Sequence, residues 1–130
     1  MNAQDLLTKA NQAAASAKVL LDIGDFDGAC NRAYYAMFDA ARAALLASGT
    51  SAEPGSVKTH NGLIAAFSLY LVKTGNVSVE LGKAINKAEE LRLMADYKGD
   101  QIEKEDAAWA VSQAQIFVQA MRALLMPKVP

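Results

Sequence analysis

The sequence predicts an all-α protein, an antiparallel bundle of about five helices. Three observations carry this. Apolar residues recur three and four apart through every long segment. No segment alternates apolar and polar positions as a half-buried strand does. Proline is confined to position 54 and to positions 127 and 130, so helix interiors are free of breakers.

The first helix is expected over roughly Ala3 to Ile23. Leu6, Leu7, Ala10, Ala13, Ala14, Ala17, Leu20 and Leu21 fall on one face of it. Gly24 stops it and Asp25 caps a second helix, roughly Phe26 to Ser48, which ends at Gly49. Residues Gly49 to Lys58 combine Gly, Ser, Thr and Pro54 and read as a loop. Lys58 or Thr59 opens a third helix that passes through Leu63, Ile64, Phe67, Leu71 and Val72 and ends at Thr74-Gly75. Ser78 caps a fourth, with Glu80 in its first turn, running to about Tyr97. Lys98-Gly99-Asp100 reads as a turn. The fifth helix spans about Lys104 to Met126 and turns Ala107, Ala110, Val111, Ala114, Phe117, Val118, Met121 and Leu125 inward.

Five helices with short links favour a bundle. The first two helices with their Gly24-Asp25 turn also resemble one tetratricopeptide unit, but no second copy follows at that period. The 130 residues are expected to form one domain.

Composition excludes several classes. Lys and Arg total 13 against 14 Asp and Glu, a net charge of −1, so no global basic field draws the chain to nucleic acid. Any such binding must use a local patch. Cys30 is the single cysteine and reads as a small buried residue. With one cysteine and one histidine, no zinc site is expected, and no cofactor is implied. No apolar run approaches the roughly 18 residues of a membrane span, and the N-terminus lacks a basic-then-apolar leader pattern. The chain therefore reads as a cytoplasmic protein with no membrane partner.

Three polar groups stand at apolar helical positions. In Asn31-Arg32-Ala33-Tyr34-Tyr35, Arg32 and Tyr35 are three apart and share a face, while Tyr34 and Phe38 share a neighbouring one. A cation and a phenol beside a core stripe must find partners or open onto a cleft. His60 lies at the loop-to-helix junction Lys58-Thr59-His60-Asn61-Gly62. It reads either as a capping or packed residue or as a group that meets phosphate or moves a proton near neutral pH. Arg92, Asp96 and Tyr97 close the fourth helix. Arg92 and Asp96 are one turn apart, so they either pair with each other or divide their work, Arg92 on phosphate and Asp96 on a base, a metal or Arg32. Lys83, Lys87, Glu89 and Glu90 fit the solvated side of that helix, and Glu103 to Asp106 an exposed first turn. Trp109, Met94 and Met121 read as core or subunit-contact residues. No phosphate-binding glycine loop, nucleophile elbow or paired-histidine motif is present.

Taken together these pieces resemble the HEPN domain family, in its small stand-alone bacterial and archaeal form. The matching elements are Arg32-Ala33-Tyr34-Tyr35-Ala36-Met37-Phe38 with Ala40 to Leu46, then Lys58-Thr59-His60-Asn61-Gly62-Leu63, Leu71-Val72-Lys73-Thr74-Gly75, Leu91-Arg92-Leu93-Met94-Ala95-Asp96-Tyr97, and the small-residue spacing of the last helix. The resemblance implies a helical bundle that dimerises, often encoded beside a minimal nucleotidyltransferase in a toxin–antitoxin pair. It also implies RNA or nucleotide binding in a dimer cleft, and in many members metal-independent ribonuclease activity by an arginine followed four to six residues later by a histidine. Carried onto this chain, Arg92, Asp96 and His60 are the catalytic candidates, Arg32 and Tyr35 the substrate-binding ones, and Tyr97 the candidate for nucleotidylation by the partner. The chain departs from the pattern at one point: Asp96 stands where the histidine is expected, and no histidine follows His60. The competing reading is therefore a non-catalytic interaction protein whose Arg, Tyr and Asp network fixes helix register or a dimer seam.

Overall fold

A computed structural model describes residues 1–49, 59–98 and 101–126. α1 (Ala3–Asp22) starts on a reciprocal cap. Asn2 Oδ1 accepts from the Asp5 amide at 2.8 Å, and the Asp5 carboxylate accepts from the Asn2 amide at 3.4 Å. Gly24, at φ +85°, takes the left-handed turn after α1 that a side chain would strain. Asp25 then caps α2 (Phe26–Ala47), its carboxylate accepting from the Gly28 amide at 2.9 Å. A Cβ on residue 28 would lie 2.4 Å from that carboxylate, so glycine lets the cap close.

α3 (His60–Phe67) is capped by Thr59, whose hydroxyl accepts from the Gly62 amide at 3.0 Å. α4 (Val79–Leu93) is capped by Ser78. α5 (Lys104–Leu125) follows Glu103 without a side-chain cap. Counted with the π-wound segments that continue α3 and α4, all five helices begin and end within a few residues of the sequence expectation. The third and fourth differ in how they end. Ser68–Val72 and Met94–Lys98 are wound as π-helix. A π turn holds an extra residue per turn, which apolar periodicity is too coarse to register. Most of the expected 49–58 loop and part of the 98–100 turn lie outside the described residues, as do the closing prolines.

α2 is the central helix. It packs against α1 along its length, and against α5, α4 and α3. Its alanines at 29, 33, 36, 40, 41, 43 and 44 are fully or almost fully buried. Small side chains on both α1 and α2 let the two axes approach closely. α5 closes the other side with Phe117, stacked 5.4 Å from Phe67, and with Val118 and Met121. Cys30 is buried as expected, and burial, with Asp27 and Asp106 nearby, pushes its thiol up to about 12. No helix among the described residues is long and apolar enough to cross a membrane.

Candidate functional site

Where α2 meets the start of α3 and the end of α4, the core changes from apolar to polar. Tyr34 is fully buried, yet its hydroxyl touches two polar groups. It donates to Glu89 Oε2 at 3.1 Å and lies 2.8 Å from His60 Nδ1. Burial first, then the Glu89 charge, pushes the phenol well above its usual range, so Tyr34 keeps its hydrogen. His60, at the first position of α3, sits among three rings of α2. Its centroid is 5.0 Å from Phe38, 5.5 Å from Tyr34 and 5.8 Å from Tyr35.

Arg92 approaches the same rings from α4. Its guanidinium carbon is 5.1 Å from the Tyr34 centroid and 5.8 Å from Tyr35. Arg92 is only 5% exposed. Its Nη1 donates to Asp96 Oδ2 at 3.4 Å, while Nε is buried without a partner. Asp96 also accepts from Asn31 Nδ2 at 3.2 Å, which ties the π turn at the end of α4 back to α2. A desolvated guanidinium with one long ion pair and an orphaned N–H is under-satisfied by its own fold, and that N–H lies out of reach of solvent.

Two further arginines of α2 flank His60. Arg32 lies 6.0 Å from the Tyr35 centroid, and Arg42 lies 6.0 Å from Phe38. The order along this strip is Arg32, Tyr35, His60, Phe38, Arg42. Asp39 lies on the same helix, half-buried. Burial raises its carboxyl, with Lys9, Arg42 and Arg32 pulling the other way.

The structure thus brings together five of the six residues that stand out in the sequence: Arg32, Tyr35, His60, Arg92 and Asp96. Asp96 meets Arg92 and Asn31 rather than Arg32. Tyr97 stands apart, three-quarters exposed. Glu89 corrects the sequence reading. Expected on the solvated side, it is half-buried on Tyr34. Its position three before Arg92 places it on the same face, and that spacing is the signal the sequence offers. The sequence marks Tyr34 by its place beside Arg32 and Tyr35 but not by its partners, and it does not single out Asn31 or Arg42, because their partners come from elements distant in sequence or across the strip.

The model of the HEPN domain matches residues 3–124. The UPF0332 protein glr0978 of Gloeobacter violaceus is 36% identical over 118 residues, covering 89% of this chain and 90% of the relative. A protein of Methanocaldococcus jannaschii named "Putative toxin MJ0605" is 34% identical, covering 94% of this chain and 87% of the relative. Among solved structures, TT1696 from Thermus thermophilus superposes with a TM-score of 0.72 at 23% identity, covering 96% of this chain and all of that one. At that identity the likeness concerns the fold.

Proposed function

The chain belongs to the HEPN domain family, and from that premise we propose that it is the toxin-like member of a two-component pair. In this reading it is a single-domain homodimer that binds single-stranded RNA along the α2 strip. The observation that carries this is the strip itself: a half-buried histidine set between two arginine–aromatic pairs. Arg32 and Arg42 are ten residues apart, about 15 Å along the helix at ~1.5 Å per residue. One phosphate cannot touch both, so a strand fits the strip better than a mononucleotide. Phosphates meet Arg32, Arg92 and Arg42, bases stack on Tyr35, and His60 exchanges the proton at the reacting phosphate. Asp96 acts through Arg92, orienting it. Tyr97, exposed at the end of α4, is the accessible hydroxyl for nucleotidylation by a partner enzyme.

The test is RNA binding and cleavage by the purified protein in chelator, against His60→Ala and Arg92→Ala. Cleavage or binding that falls at least tenfold in both variants is expected. Intact, unbound RNA with a correctly folded wild-type protein would overturn the reading. One observation favours a second reading, a non-catalytic interaction protein: Arg92 is almost wholly buried and already paired with Asp96. On that reading Arg92→Ala lowers stability and there is no RNA activity to lose.

A further inference from the structure

One arrangement of hydrogens among Glu89, Tyr34 and His60 satisfies the Glu89 carboxylate. A carboxylate accepts and never donates. Tyr34 has a single hydroxyl hydrogen, and it goes to Glu89 Oε2 at 3.1 Å. The same hydroxyl oxygen is 2.8 Å from His60 Nδ1. With its hydrogen committed to Glu89, the hydroxyl has only lone pairs left for the imidazole. The reverse order would turn those lone pairs toward the Glu89 carboxylate at a half-buried site, where an unpaired anion is costly. Loss of the hydrogen altogether is blocked because Tyr34 is fully buried beside that carboxylate.

We propose that Glu89 and Tyr34 are positioning residues for His60, holding its neutral ring as the Nδ1–H tautomer and leaving Nε2 bare as the proton acceptor. The arrangement is a relay of one-way hydrogen bonds. Glu89 accepts from Tyr34, and Tyr34 accepts from His60. It resembles in logic the second partners that fix the tautomer of catalytic or metal-bound histidines. The inference deepens the RNA reading and takes its chemical role from it, but the tautomer exists whether or not RNA binds. In the proposed cleavage, Nε2 takes the proton of the 2′-hydroxyl as the O2′–P bond forms. The P–O5′ bond breaks, and the leaving oxygen takes a proton from solvent. The Glu89 charge, passed through the Tyr34 hydroxyl, stabilises the imidazolium that results. Tyr34 and Glu89 do not change protonation in any step.

The chain has a single histidine, so its ring nitrogens can be read without assignment ambiguity. The experiment is imidazole 15N NMR on the full chain, with the ring neutral at alkaline pH. A pyrrole-type Nδ1 and a pyridine-type Nε2 are expected. Tyr34→Phe removes the acceptor, and the pattern should revert to the Nε2–H form that free imidazole favours. Glu89→Ala frees the Tyr34 hydrogen to turn toward Nδ1, and should give the same reversal. Glu89 is half-buried, so this variant carries the test if Tyr34→Phe fails to fold. A pyridine-type Nδ1 in the wild type overturns the proposal. So does a wild-type pattern that survives in the folded variants. If the reversal occurs while RNA is neither bound nor cut, the relay stands and the RNA reading alone falls.

Discussion

α2 has two contrasting seams. Against α1 it is dry and built from small residues. Ala10, Ala13 and Ala17 on one helix and Ala33, Ala36 and Ala40 on the other are fully buried, and apolar contact alone joins these positions. Against the α3 start and the α4 end it is polar. There Tyr34, His60, Glu89, Arg92, Asp96 and Asn31 are tied by bonds of 2.8 to 3.4 Å. The dry seam draws its stability from area removed from water, which tolerates no voids but asks for no particular chemistry. The wet seam buries a guanidinium and a phenol, which contributes less net stability and demands matched partners. The contrast teaches how one helix divides its faces: one side of α2 holds the fold, the other gives up apolar burial for polar groups.

The contrast can be broken most sharply on the dry side. Leu6 is fully buried in α1. Leu6→Ala should cost about 2–5 kcal/mol, because the site cannot collapse onto the missing atoms. Urea denaturation should find that loss with no dependence on pH or salt. A loss well under the lower bound would mean that this seam is looser than its burial implies.

On the wet side the effect should be smaller and chemically selective. Arg92→Ala should cost about 1–3 kcal/mol by leaving Asp96 with Asn31 alone and the tyrosine faces unstacked. The partial exposure of Asp96 keeps the cost below that of a fully buried pair. Arg92→Met restores volume without charge and should recover most of the stability. Thermal melts of the two variants separate a packing role from a charge role. If Met recovers stability while RNA binding stays lost, Arg92 is held for its charge.

The smallest effect is expected at Asp39, between the seams. Its folded carboxyl is raised, mainly by burial, so the folded chain holds that proton more tightly than the unfolded one. Stability from this group is present below the unfolded value, about 3.8, and is lost as pH rises toward the folded value. Asp39→Asn should therefore be slightly more stable than wild type at pH 7, with the gain vanishing near pH 3. Denaturation at the two pH values checks the sign. A variant less stable at pH 7 would mean that attraction from Lys9, Arg32 and Arg42 outweighs burial.

Much of the dry seam was legible because it obeys local rules. Leu6, Leu7, Ala10, Ala13, Ala14 and Ala17 declare one face by spacing alone, and Asp25 and Ser78 mark helix starts by their capping oxygens. The wet seam was legible only in part. Arg32, Tyr35, His60, Arg92 and Asp96 stand out as polar residues where apolar ones are due. Glu89 does not, since a glutamate on a helix with alternating charges looks like ordinary surface until a buried phenol is seen against it. Arg42 does not, because its relation to His60 runs through the Phe38 ring, across elements.

By itself, then, the sequence determined the helices, the caps at Asp25 and Ser78 and the membership of the family, because periodicity, caps and ordered motifs are properties of neighbouring residues. Tertiary structure alone decided which polar residues became partners. It took Tyr34 from the core to Glu89 and His60, 55 and 26 positions away, and placed Asp96 on Asn31, 65 positions away. A hydrogen bond needs atoms within about 3 Å, and only the packed bundle sets distances on that scale between segments so far apart in the chain.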